Sequence, residues 1–231
     1  MKYKNILKGA FIERPNRFIA KVIADGCEHT VHVKNTGRCR ELLVNGCTVY
    51  LEESDNPQRK TRFDLVAVEK IREDGSVLLV NMDSQSPNTA AFEWVISSGM
   101  FSSDAEVRRE VKHGDSRFDL YVRDGARQAF IEVKGVTLER GGVAMFPDAP
   151  TVRGVKHLRG LVDAVAEGYE AYVLFVIQMK GVSSFTPNRE TDPAFAEALR
   201  NAAKAGVKVL ARDCIVTPDT MTVDEEVFVS L

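Results

Sequence analysis

The stretch Arg117 to Val136, RFDLYVRDGARQAFIEVKGV, constrains this chain more than any other, because apolar residues alternate with polar ones on both sides of an Asp124-Gly125 step. Alternation of period two around Asp-Gly predicts two antiparallel strands joined by a tight turn. In the first strand Phe118, Leu120 and Val122 share one face, which leaves Asp119 on the other beside Tyr121. In the second, Ile131 and Val133 share a face while Phe130, Glu132 and Lys134 take the opposite one, so Glu132 and Lys134 lie roughly 6.6 Å apart along the strand. A two-residue loop at Asp124-Gly125 sets Asp119 opposite Phe130 and diagonal to Glu132; a four-residue loop, Asp124 to Arg127, sets it directly opposite Glu132. Either register brings the two carboxylates to one face.

Adjacent carboxylates raise each other's proton affinity, so such a pair calls for a cation. Oxygen ligands favour Mg²⁺ or Mn²⁺. Lys134, one strand step on, is placed to hold a water or to meet charge developing on a phosphate. A surface Glu and Lys paired for solubility is the plain alternative. An Asp on one strand followed by Glu-x-Lys on the next resembles the PD-(D/E)xK nuclease motif, here Asp119 with Glu132-Val133-Lys134.

A chain of 231 residues, 44% hydrophobic and 28% charged, is long enough to bury a sizeable core. A formal net charge of −2 gives no global sign of nucleic-acid binding, but residues 1–50 hold nine Lys/Arg against four acids, a local surplus that would meet a polyanion. Cys27, Cys39, Cys47 and Cys214 have neither Cys-x-x-Cys spacing nor His at zinc-ligand intervals, and read as structural thiols. Lys, Glu and Arg interrupt the N-terminal apolar residues too often for a signal-peptide core, and no apolar run approaches a membrane span, the longest being Ala171 to Ile177. A soluble, cytoplasmic protein is the expectation.

Six short runs follow one another at the start: Ala10 to Glu13, Arg17 to Ala24, Glu28 to Lys34, Thr48 to Glu52, Arg62 to Ile71 and Val77 to Asn81, with turn signals between them. Their size and rhythm, with a helical turn near Arg40 to Val44, predict an OB-like barrel. In Val33-Lys34-Asn35-Thr36-Gly37-Arg38 the Asn-Thr-Gly corner ends a strand between Lys34 and Arg38 and would receive a phosphate, or simply reverses the chain. Arg14 and Arg17, around Pro15, share that ambiguity. Asp83 to Asn88 read as the connector, with a boundary near residue 84 between a domain of residues 1–83 and one of residues 84–231.

After the connector the spacing predicts a helix from Asn88 to Ser97, with Trp94 packed between the two halves, and a second from Ser103 to Gly114, where Ser103 and Glu106 have capping-box spacing. That second helix would deliver Glu110 to the hairpin as a third oxygen ligand. Leu138 to Pro150 reads as a loop long enough to be a flap. A helix from Thr151 to Glu167 follows, its Arg153, Lys156, His157 and Arg159 forming either a phosphate-facing surface or a solvated face. Ala171 to Gln178 is apolar on both faces, as a central strand covered by helices should be. Asp192 to Ala205 and Val207 to Ala211 complete a strand, helix, strand crossover, and Val227 to Leu231 adds an edge strand.

Several fragments in one order, Arg17-Phe18, Asn35-Thr36-Gly37, Ser116-Arg117-Phe118-Asp119, Ile131-Glu132-Val133-Lys134, Phe146-Pro147-Asp148-Ala149 and Arg153-Gly154-x-Lys156-His157-Leu158, give the chain a resemblance to the sugar fermentation stimulation protein family over nearly its full length. The resemblance implies an α/β (α+β overall) protein, an N-terminal OB-like β-barrel followed by a C-terminal mixed-sheet restriction-endonuclease-like domain, that binds DNA with little sequence preference and has a role in sugar (maltose) metabolism. On it, Asp119, Glu132 and Glu110 hold Mg²⁺ or Mn²⁺ and Lys134 orients water, while Lys34, Asn35, Arg38, Arg17, Arg153, Lys156 and His157 contact nucleic acid. A regulator that binds DNA without cutting it is the alternative. Phe118 stands where the motif often has Pro.

Overall fold

The computed structural model describes residues 1–35 and 37–231; Thr36, in the middle of the Asn-Thr-Gly corner, lies outside the described residues. The six N-terminal runs form β1 (Ile6–Asn16), β2 (Ile19–Ala24), β3 (Cys27–Val33), β4 (Thr48–Glu53), β5 (Phe63–Ile71) and β6 (Val77–Asn81). They pair in the order β3-β2-β1-β4-β5-β6, and a parallel pairing of His32 with Asp64 and Val33 with Leu65 closes β1 to β5 into the OB-like barrel. Period-two burial fills it: Val22, Val31, Leu51, Leu65 and Val68 are fully enclosed. Near Arg40 to Val44 the chain makes a single turn, with the Leu43 N–H donating to the Cys39 carbonyl.

Helix α1 (Ser86–Ser97) follows, with Pro87 in the first turn, where its missing N–H costs nothing. The predicted second helix is instead a strand, β7 (Glu106–His113). Val107 and Val111 fit a helical stripe, but they fit period two equally well. The two-residue Gly114-Asp115 turn sends the chain straight back into β8 (Ser116–Asp124), whose ladder then holds β7 extended. β8 and β9 (Arg127–Val136) make the expected hairpin. Its turn is Gly125-Ala126, and pairing of Leu120 with Ile131 and Asp124 with Arg127 selects the register that sets Asp119 against Glu132.

The segment read as a loop after the hairpin is a second hairpin, β10 (Leu138–Arg140) and β11 (Val143–Phe146). Gly141 and Gly142 form its turn at φ +56° and +82°, a conformation only glycine adopts cheaply. Then come α2 (Val152–Ala166), β12 (Glu170–Ile177), β13 (Ser184–Pro187), α3 (Pro193–Lys204), β14 (Lys208–Val216), β15 (Met221–Glu226) and β16 (Phe228–Val229). Thr151 and Asp192 cap α2 and α3 by accepting from the Gly154 and Phe195 N–H groups.

The second large sheet runs β15-β14-β12-β9-β8-β7, with β12 parallel to both β9 and β14. Helix α1 covers one face, where Ala91 and Val95 pack with Leu120, Ile131 and Leu174. On the other face α2 and α3 set Leu158, Leu161, Phe195 and Leu199 against Phe118, Val173 and Phe175, in an apolar cluster continuous with the barrel interior. β12, with helices over both faces, is buried as its unbroken apolar run requires. Trp94 is half-buried in the α1 cluster with the Arg212 guanidinium 4.9 Å above its ring, and does not pack between the halves. No helix is long and apolar enough to cross a membrane.

Candidate functional site

At Asp119 strand β8 changes face. Phe118 and Tyr121 pack in the cluster under α2, whereas Leu120 and Val122 pack in the one under α1. Two residues that strict alternation would put on one side are therefore on opposite sides, and the Asp119 side chain turns into the gap where β8 parts from β9. There its Oδ2 accepts the Val133 N–H at 2.7 Å, a donor that the ladder would otherwise use, and its Oδ1 accepts from Asn88 Nδ2 at 2.8 Å. Asn88 reaches it because α1 starts close against β9. A Cβ at Gly135 would stand 2.6 Å from Pro87 Cγ and 2.5 Å from Gln178 Oε1, so only glycine permits that approach.

Glu132 and Lys134 leave β9 on the α2 face. Glu132 is 2% exposed, and its Oε1 accepts from Lys134 Nζ at 2.5 Å and from the Nδ1–H of His157. Arg153 Nε in turn donates to His157 Nε2 at 3.3 Å, which orients the ring with Nδ1 towards Glu132. Oε2 of Glu132 is buried with no hydrogen-bond partner among the described residues. Burial pushes the Asp119 carboxyl up to about 6, and the Glu132 charge adds to the rise. For Glu132 burial acts the same way, but the His157 hydrogen bond and the Lys134 charge overcome it and hold the carboxyl below its ordinary range. A cation-free pair thus has one carboxylate on the edge of neutrality and one held ionised. The orphaned oxygen and the strained ionisation of Asp119 fit an oxygen-seeking divalent ion between them.

Glu110 does not join this cluster. It stands between the Arg109–Leu120 and Val111–Phe118 pairs, in register with Asp119, but its φ is +53°. That left-handed turn lets β7 change face together with β8 and throws the Glu110 side chain into solvent, 3.6 Å from Arg117. His157 is likewise reassigned from a phosphate contact to a buried partner of Glu132, because α2 turns it inward while leaving Arg153 and Lys156 exposed. Asn88 was missed in the sequence. Among the described residues, the set of three potential ligand side chains with donor atoms within 4.8 Å of one another is elsewhere, at Asp213, Asp224 and Glu225. Lys180 Nζ already sits among those three, at 3.1, 2.6 and 2.8 Å.

The basic residues of the barrel divide into two groups. Lys34 lies 3.3 Å from Asp64, 3.4 Å from Glu52 and 3.5 Å from Asp83, so its charge is spent on the barrel's own carboxylates. Burial alone would depress the Lys34 ammonium, but Asp83, Asp64 and Glu52 hold it raised. Asn35 is committed too, donating to the Met82 carbonyl and accepting the Gly37 N–H. Arg17 and Arg38, by contrast, line one cavity of about 410 Å³ with Arg14, Arg40, Asn16, Gly37 and Leu43.

An OB-type barrel joined to a layered α/β sheet, with Asp, Glu and Lys gathered where two central strands part, defines a two-part protein with a nuclease-like second half. The model of the SfsA N-terminal OB domain matches residues 12–80, and that of the sugar fermentation stimulation protein RE domain matches residues 85–220. The chain belongs to the sugar fermentation stimulation protein family. It is 55% identical to the sugar fermentation stimulation protein homolog of Desulfitobacterium hafniense strain Y51 over 100% of this chain and 99% of that one. The homolog of Clostridium beijerinckii is 51% identical over 100% of both. The solved structure of Pyrococcus furiosus SfsA in complex with Ca²⁺ superposes with a TM-score of 0.85 at 27% identity, covering 100% of this chain and 98% of that one.

Proposed function

We propose that this protein binds DNA with little sequence preference and cleaves its phosphodiester bonds with a divalent cation, Mg²⁺ or Mn²⁺, held by Asp119 and Glu132. The observation that carries the reading is the buried Glu132 oxygen without a partner, next to an Asp119 carboxyl that burial, and then its neighbour's charge, drive towards protonation. A family relative solved with Ca²⁺ supports a hard, oxygen-liganded ion. When bound, such an ion supplies Lewis acidity to a phosphoryl oxygen and a nucleophile at neutral pH.

The chain's own residues supply the rest. Asn88 and the Val133 N–H hold the Asp119 carboxylate in one orientation. His157, itself aligned by Arg153, does the same for Glu132. Lys134, mostly enclosed, exchanges its bond to Glu132 for one to the attacking water or to a phosphate oxygen as charge builds. The exposed cations Arg153 and Lys156 on α2, and Arg17 and Arg38 at the barrel, take backbone phosphates.

A DNA-binding regulator of sugar metabolism that does not cut is the second reading. The contacts that favour it are those of Lys134 and His157 to Glu132, which satisfy its Oε1 without any ion. Incubation of supercoiled DNA with the protein in Mg²⁺, Mn²⁺ or EDTA separates the two. Metal-dependent nicking absent from Asp119→Asn supports cleavage, and retention on DNA without nicking supports the regulator.

A further inference from the structure

Between β1 and β2 the chain turns through Arg17 and Phe18, and the Phe18 ring is 54% exposed. A lone surface aromatic is ordinary. This one differs in that its backbone is pinned. Asn16 Oδ1 accepts the N–H groups of Phe18 and Ile19 at 2.9 and 3.1 Å, and the Phe18 carbonyl accepts from the Val33 N–H at 2.8 Å. The ring belongs to neither apolar cluster and stacks on no other aromatic among the described residues. A rigid turn thus displays an aromatic face that folding does not use.

Arg17, which shares the turn with Phe18, lines a cavity together with Arg14, Arg38 and Arg40. Arg14 is its frame: its guanidinium donates to the carbonyls of Gly37, Arg38, Arg17 and Asn35 at 2.8, 2.9, 2.6 and 2.6 Å, tying the β1–β2 turn to the loop after β3. None of the four arginines is within ion-pair distance of a carboxylate among the described residues. The acids closest by are Asp148, which abuts Gly37, and Glu41; both are felt by the buried Cys39 thiol behind the cavity. Arg17, Arg38 and Arg40 are therefore exposed cations with their charge unspent, and Arg14 fixes the backbone at Arg17 and Arg38.

We propose that Phe18 and this arginine cavity form a seat for an unpaired nucleotide of single-stranded DNA, the ring stacking on the base and Arg17, Arg38 and Arg40 taking the phosphates. The assignment rests on the DNA reading above and adds the strand form. In a duplex both faces of an internal base are already stacked, so a ring on a fixed turn finds a free π-face only on an unpaired one, whereas arginines alone would serve either form. Lys34 and Asn35, just before the cavity's Gly37, are fastened by the Ser84 N–H to the Lys34 carbonyl and by Asn35 to Met82, on the segment that leads into α1 and Asn88. Gly37 meets Asp148 on the segment that leads into α2, Arg153 and His157.

The test is fluorescence anisotropy with the full chain and four labelled probes of about ten nucleotides: an oligothymidylate, the same length with abasic sites, an oligouridylate and a duplex. Phe18→Ala is expected to weaken the oligothymidylate about 5- to 150-fold and to leave the abasic oligomer and the duplex unchanged, with Phe18→Trp restoring the loss. Arg38→Ala and Arg40→Ala are expected to weaken oligothymidylate and abasic oligomer alike, each lowering the slope of log K against log salt by about 0.7. Phe18 is more than half exposed, so unchanged thermal unfolding of its variants is the folding control. Equal affinity of Phe18→Ala and wild type for oligothymidylate overturns the seat while leaving DNA binding intact, and so does tighter binding of the duplex. Absence of binding to all probes by the wild type overturns the functional reading itself. Tighter binding of an oligouridylate overturns the assignment to DNA.

Discussion

Replacing Asp119 by Asn is predicted to stabilise the protein in EDTA and to abolish its stabilisation by metal. The folded state raises the Asp119 carboxyl from 3.8 to about 6, first through burial and then through the Glu132 charge. The native fold therefore binds this proton more tightly than the unfolded chain does. Its contribution is fully present below pH ~4 and is lost as pH rises through ~6. At pH 8 the ionised carboxylate costs the fold up to about 3 kcal/mol, taking 1.36 kcal/mol per pKa unit. An Asn there is never charged, and it keeps both contacts once the Asn88 amide turns to present its oxygen. For a chain of this size 1 kcal/mol moves Tm by about 2–4 °C, so Asp119→Asn should melt up to about 10 °C higher than wild type at pH 8 in EDTA, and no higher near pH 4.5. Excess Mn²⁺ should reverse the order, since ligand at a thousandfold its Kd adds about 4.1 kcal/mol to wild type and nothing to the variant. Differential scanning calorimetry at the two pH values, with and without metal, reads all four cases. A variant less stable than wild type in EDTA at pH 8, or a gap that does not change with pH, refutes the reasoning.

His157→Ala should destabilise the protein by about 2–4 kcal/mol in urea unfolding, because it leaves Glu132 buried with one partner fewer; a loss under 0.5 kcal/mol would show that the contact is not formed. Glu110→Gly should stabilise by about 0.5–1 kcal/mol, since glycine adopts φ +53° without the penalty that a side chain carries. The same variant should keep the full Mn²⁺-induced rise in Tm, and losing that rise would make Glu110 a ligand after all. Lys34→Ala should cost about 1–3 kcal/mol by leaving Asp64, Glu52 and Asp83 short of a cation, whereas Arg38→Ala should stay within about 0.5 kcal/mol of wild type. Equal stabilities would return Lys34 to the surface role its sequence position implied.

Period-two alternation made the Glu132 and Lys134 face legible, because a strand's side-chain directions are written in its own residues, whereas Asp119 sits where β8 breaks that alternation. The unbroken apolar run of β12 and the closely spaced turns of the barrel were readable for the same reason. Helix and strand part company at Glu106–His113, where Val107 and Val111 satisfy both periods and the Ser103-Glu106 spacing imitates a cap. What decided it was Gly114-Asp115, a turn too short for anything but a return along β8. Glu110 could not be placed because the face change at Asp119 depends on where β8 separates from β9, which is a property of three strands together. Asn88 and His157 reach the carboxylates from helices whose phase against the sheet is set by packing, at Gly135 for α1 and beneath Leu158 and Leu161 for α2. The role of Lys34 was hidden for a similar reason, since its three acids come from β4, β5 and the segment after β6.

Titration of Mn²⁺ into the metal-free protein by calorimetry, alongside Asp119→Asn, Glu132→Gln and Asp224→Asn, tests the carboxylate site most directly. Binding that disappears in the first two variants and persists in the third is the predicted result. Binding that survives in Asp119→Asn and Glu132→Gln, or that vanishes only with Asp224, would place the ion at the Lys180 cluster and contradict the account.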